Sequence, residues 1–172
     1  MKRGRGRSPK RNRIAVQVQD PSWRQMLPKA AILSRRFAAA AVGAAGPKGD
    51  AVEVSIVLAD DAFVHGLNRT WRGKNKPTNV LSFPTGAMPI STSDGIEPTI
   101  LGDVVVAFGT TAKEAAAQGK SLSDHLAHLV VHGVLHLLGY DHVREREAKA
   151  MERLEADILA ALGIANPYAV AA

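Results

Sequence analysis

The sequence contains no cysteine. Without thiols there is no disulfide framework and no thiolate metal site, so the cysteine-rich zinc folds are excluded. Histidine and carboxylate are left as the strong metal ligands. Long apolar runs are also missing, and no window approaches the roughly 18 uninterrupted apolar residues of a membrane span. The first residues have no apolar stretch of the signal-peptide kind. The expectation is a cytoplasmic protein that does not enter a membrane. Acidic residues are absent from the first 13 positions, MKRGRGRSPKRNR, which hold seven basic ones.

What is there fits one ordinary domain. The chain has 172 residues, 46% of them hydrophobic and 22% charged, enough to bury a sizeable core. The net charge of +6 belongs to the beginning of the chain. Taking the seven basic residues of that stretch from the total of 22 leaves 15 basic against 16 acidic. Residues 1–13 cannot bury apolar surface and read as a disordered basic tail. Such a tail either meets RNA phosphates or serves as a solubilising extension. The domain is expected over residues 14–165, with a short C-terminal tail at 166–172.

Periodicity places the elements. Residues 14–19 alternate apolar and polar, as do residues 51–58, and both read as strands. Asp20, Pro21 and Ser22 open one helix expected over 22–42, followed by a breaker-rich loop at 43–50. Asp60 and Asp61 cap a short helix to about residue 70. Residues 79–83 form a strand stopped by Pro84, residues 84–99 a loop, and residues 101–108 a further strand. Thr111 to Glu114 has the form of a capping box for a short helix. Ser121 to Asp124 repeats that form before a long apolar helix to residue 138, which Gly139 ends. A last helix covers about 144–162. Four short strands and about five helices, not strictly alternating, imply an α+β fold with one small mixed sheet. The metal site would sit at the end of a core helix.

Five of the six histidines fall between residues 125 and 142. Residues 132–142 read HGVLHLLGYDH, the H-x-x-x-H-x-x-G-x-x-H spacing of a zinc protease. On a helix, His132 and His136 share a face and can aim two imidazoles at one metal. Gly139 permits the left-handed turn that brings His142 back toward them. Three neutral nitrogens with an open fourth position describe a catalytic zinc rather than a structural one. His128, one turn earlier, either supports a ligand or packs in the core, His125 packs or is exposed, and His65 stands apart. The protease glutamate is missing, since Gly133 follows the first histidine.

Residues 70–84 read TWRGKNKPTNVLSFP and bring Arg72, Lys74 and Lys76 together beside Trp71. Phosphodiester chemistry calls for such cations, because negative charge develops on phosphate oxygens. An aromatic next to them suits stacking on an unpaired base, and the alternative is a solvated loop with a core tryptophan.

HGVLHLLGYDH, WRGKNKPTNVLSFP and the following LGDVVVA together resemble the YbeY family of bacterial endoribonucleases, over roughly residues 52–160. The resemblance implies one α+β domain and one zinc ion held by His132, His136 and His142. It implies a single-strand-specific endoribonuclease acting in 16S rRNA 3′-end maturation and ribosome quality control. It assigns Arg72 to catalysis or RNA handling. The implied partners are ribosomal RNA, the small subunit and its assembly proteins, without DNA. Asn75 stands where the family usually has aspartate, and Trp71 where tyrosine is common. Two rival readings are a metal-dependent peptide or amide hydrolase and a non-catalytic ribosome-assembly factor with a structural metal.

Overall fold

A computed structural model describes residues 11–86, 91–92 and 95–169. In chain order the elements are β1 (Arg13–Val18), α1 (Pro21–Met26), α2 (Ala30–Ala45), β2 (Val52–Ala59), α3 (Asp61–Arg72), β3 (Val80–Pro84), β4 (Ser91–Thr92), β5 (Gly95–Ile96), β6 (Thr99–Ala107), α4 (Phe108–Ala117), α5 (Leu122–Leu137) and α6 (Glu145–Ala161). The main sheet has the order β1-β2-β6-β3. β1, β2 and β6 run parallel, and β3 lies antiparallel to β6 at one edge. This is the expected mixed four-stranded sheet of an α+β domain. Most of the basic stretch expected as a tail, residues 1–10, lies outside the described residues. Asn12 already accepts a hydrogen bond from Val52 N at 3.0 Å.

The sheet explains the valine run in β6. Val104 and Val106 face the larger core, built with α2, α5 and α6. Val105 faces the smaller one, where Val64 of α3 and Leu81 of β3 meet it. A strand covered on both faces reads as continuously apolar rather than alternating. Helix α5 runs through the larger core. Its Leu126, Val130, Val131, Val134 and Leu135 are fully buried, each worth about 1.5–3 kcal/mol relative to exposure. His128, His132 and His136 form a half-buried stripe, four residues apart, along a helix that is otherwise buried after its first turn.

Three local expectations are corrected. The single helix over 22–42 is two helices, which raises the helix count among the described residues to six. Leu27 precedes Pro28 and leaves the helical region (φ −142°, ψ 79°), as a residue before proline is pushed to do. Helix α2 then runs on through Gly43 to Ala45. The capping box at 111–114 is not formed. Helix α4 starts straight from β6, and Thr111 Oγ1 donates to Ala107 O at 2.6 Å. Asp61 serves the helix start instead, accepting from Thr110 N at 2.9 Å and Thr110 Oγ1 at 3.1 Å. In the loop expected over 84–99, β4 and β5 pair as a minimal hairpin, and β6 begins two residues early. Residues 87–90 and 93–94 of that loop lie outside the described residues. The cap at Ser121 is as expected: its hydroxyl accepts from Asp124 N at 3.0 Å.

Candidate metal centre and basic groove

The C-terminal end of α5 builds the centre. Leu138 caps the helix, and Gly139 follows at φ 95°. Tyr140 N donates to Leu135 O and Gly139 N to His136 O, both at 3.0 Å. These two bonds make a Schellman turn, which needs a left-handed residue where Gly139 stands. The turn sends the chain back, and Asp141 Oδ1 accepts from His142 N at 2.7 Å.

His132, His136 and His142 thereby converge. One nitrogen from each lies within 4.8 Å of the others, and the Nε2 atoms of His132 and His136 are 3.1 Å apart. Two nitrogens on a tetrahedral zinc, at about 2.0–2.1 Å from the ion, stand roughly 3.3 Å apart. The trio therefore fits a metal of that kind. Its protonation fits as well. His132 Nδ1 bonds to Glu155 Oε1, which places the proton on Nδ1 and leaves Nε2 as a lone pair toward the centre. Burial, then the charges of His132 and His142, push His136 below the ordinary histidine value, against the Tyr140 backbone and Asp141. A neutral imidazole is the ligating form.

Glu155 was invisible to motif reasoning. It is fully buried on α6, on the same stripe as Met151, Ile158 and Leu159. A carboxylate at a core position of an amphipathic helix was the available signal. Burial alone would raise its pKa. Hydrogen bonds with His128 and His132, the charge of His132 and a bond from Tyr168 outweigh that and hold it at about 2. His125 is buried and bonds to Glu114 Oε2 at 2.7 Å, and Glu114 also accepts from Asn79 Nδ2 at 3.0 Å. His65 Nε2 meets Asn75 Oδ1 at 2.8 Å.

A groove of about 720 Å³ runs beside the trio, lined by His132, His136 and His142 and also by Arg72, Lys74 and Lys76. The basic segment is pinned. Gly73 ends α3 in the left-handed region, Lys74 N donates to Asn68 O at 3.2 Å, and buried Asn68 donates to Lys76 O at 2.9 Å. Arg72 Nη2 donates to Ser82 O at 2.6 Å, with the guanidinium 5.7 Å from the Phe83 ring. Ser82 Oγ donates in turn to Gly133 O at 3.0 Å. Arg72 is thus tied through one serine to the helix that carries the histidines. Trp71 is 70% exposed and so is not a core residue. It is not among the residues that line the groove.

The fold and the site together define a class: a one-domain α+β protein with a metal-capable histidine trio at the end of its central helix, in a groove that also carries three cations. The chain belongs to the endoribonuclease YbeY family, whose model matches residues 20–163. It is 55% identical over 155 residues to the Endoribonuclease YbeY of Paramagnetospirillum magneticum, covering 90% of this chain and 94% of that one. It is 51% identical over 162 residues to the Endoribonuclease YbeY of Azorhizobium caulinodans, covering 92% and 98%. A solution structure from Thermotoga maritima aligns over 91% of this chain and 99% of that chain, at 20% identity and a TM-score of 0.49. That likeness is too loose to add to the assignment.

Proposed function

We propose that this chain is a zinc-dependent endoribonuclease that cuts single-stranded segments of ribosomal RNA as the small subunit matures in the cytoplasm. One observation carries the reading: the histidine trio and three cations line the same open groove. Family membership supports it. His132, His136 and His142 hold the ion. A zinc ion bound there supplies Lewis acidity and a water whose pKa is lowered to about 7. Arg72 has five N–H donors and uses one on Ser82 O, so its remaining donors can meet phosphate oxygens as charge develops. Lys74 and Lys76 line the same groove and add to its positive charge. Asp141 lines the groove next to His142 and is the nearest carboxylate in sequence to a ligand. Buried Gly133 packs against the sheet and cannot act as the base of a peptidase.

The test is cleavage of a single-stranded RNA by wild type, His136→Ala and Arg72→Glu, prepared identically, with zinc content measured on each. The expected result is loss of zinc and cleavage in His136→Ala. Arg72→Glu should keep its zinc and lose at least about 100-fold in rate, the scale of one preorganised donor. Equal cutting by all three would show a contaminating nuclease and favour an assembly factor with a structural metal. Full zinc occupancy in His136→Ala would remove the trio as the metal site. A 2′,3′-cyclic product end would mark attack by the RNA's own 2′-hydroxyl, and a 5′-phosphate would mark attack by water.

A further inference from the structure

Glu155 is a carboxyl group with no exposed surface. Such a group is costly to bury unless its oxygens are engaged. Two short bonds engage them: His132 Nδ1–H donates to Oε1, and the Tyr168 hydroxyl donates to Oε2. The hydroxyl has one proton, and Glu155 takes it. The Tyr168 oxygen therefore accepts from His128 Nε2–H at 3.1 Å, the nearer of that nitrogen's two acceptors, with Glu155 Oε2 at 3.5 Å. In that tautomer His128 Nδ1 is a lone pair, and it is the atom found buried without a partner. The directions agree along the whole chain, from His128 to Tyr168 to Glu155, with His132 entering from the other side.

Tyr168 reaches this place by a built path. Gly163, at φ 78°, follows α6 and lets the chain fold back. Ile164 packs on the core. Asn166 Oδ1 accepts from Tyr168 N at 2.9 Å, and Asn166 O accepts from Ala169 N at 3.3 Å. The Tyr168 ring stands edge-on to His128 at 5.4 Å. A small cavity of about 70 Å³ lies between His132, His142, Glu155 and Tyr168.

We propose that the segment 164–169 is a working part of the metal centre and that Tyr168 is a positioning residue. By holding Oε2 of Glu155 it fixes the carboxylate that fixes His132. The His132 ring then keeps its proton on Nδ1 and presents Nε2 to the metal. This rests on His132, His136 and His142 being the ligands. Without the hydroxyl, Oε2 is freed to rotate or to take a water, and the orientation of His132 loosens with it. Outer partners of ligating histidines commonly matter for affinity in this way.

The test reads metal affinity on the full chain, by competition with a chromogenic zinc chelator, together with the visible spectrum of the cobalt(II) protein. Tyr168→Phe should weaken zinc binding about 10-fold, and Glu155→Gln by about 10- to 100-fold. Both should alter the cobalt spectrum, while far-ultraviolet circular dichroism matches wild type. A purely structural tyrosine would lower the melting temperature and leave affinity and spectrum unchanged, which overturns the proposal. If Glu155→Gln does not fold, Tyr168→Phe decides alone, since it removes one hydroxyl from a partly exposed side chain. His136→Ala separates the two levels of inference. Full zinc binding in that variant would refute the ligand trio itself. Its loss there, with wild-type binding in Tyr168→Phe, would refute only the role of Tyr168.

Discussion

Two glycines near the centre are needed for different reasons, and the difference shows how the site is spaced. Gly139 is needed for its backbone angle, because an added Cβ there would meet nothing within 4 Å. Gly133 is needed for its lack of a side chain. A Cβ there would lie 2.6 Å from Val104 Cγ1 and 3.1 Å from Ser82 Oγ. Helix α5 therefore approaches β6 and β3 more closely than any other residue at 133 allows. The same approach lets Ser82 bridge from Gly133 O to Arg72. Gly133→Ala is expected to cost about 1–3 kcal/mol by overpacking, measured by urea unfolding. Residue 133 faces the sheet while His132 and His136 face the groove, so RNA cleavage should fall more than zinc affinity. Wild-type stability in this variant would mean that the spacing between helix and sheet is set elsewhere.

At the scale of elements, a partly buried polar knot joins β3, α4 and α5. Glu114 of α4 accepts from Asn79 beside β3 and bonds to His125 of α5. Burial is the main cause that lowers the His125 pKa; His128 and Lys120 add to it, and Glu114 opposes it. His125 is therefore neutral in the fold at a pH where it is partly charged in the unfolded chain. Its contribution is fully present above the unfolded value of about 6.5 and is lost as pH falls through the lower folded value. The melting temperature of wild type should therefore fall more steeply between about pH 7.5 and 5 than that of His125→Gln. The comparison is best made with metal-free protein, so that ligand protonation does not enter. Parallel curves would show that His125 does not sense pH. This knot also marks how far the sequence could be read. Histidine spacing, strand alternation and the serine cap of α5 were legible because each is a local pattern. Asp61 at the start of α4 and Glu155 behind His132 were not. Their partners lie 49 and 23 residues away, and only packing brings them together. The break at Pro28 was legible in principle, since a residue before proline resists the helix. It was masked by the helix-forming alanines that follow.

At the scale of the whole molecule, charge and chemistry lie in different parts of the chain. Lys2, Arg3, Arg5, Arg7 and Lys10 are five of the 22 basic residues. Removing residues 1–10 leaves 17 basic against 16 acidic, a nearly neutral chain. The groove itself offers Arg72, Lys74 and Lys76 as local cations. If the first ten residues contact phosphates, they add sequence-independent affinity without touching the metal. The dependence of binding on salt separates the two contributions. For single strands the slope of log affinity against log salt changes by about 0.7 for each phosphate contact. A chain lacking residues 1–10 should therefore bind single-stranded RNA more weakly at low salt, with a slope shallower by up to about 3.5 if all five cations engage. Its cleavage rate at saturating RNA should equal that of the full chain. Asn12 and Arg13 stay in place to start β1, so the truncated chain should also melt at the same temperature. An unchanged slope would show that the basic stretch is a solubilising extension, and that RNA is held by the groove alone.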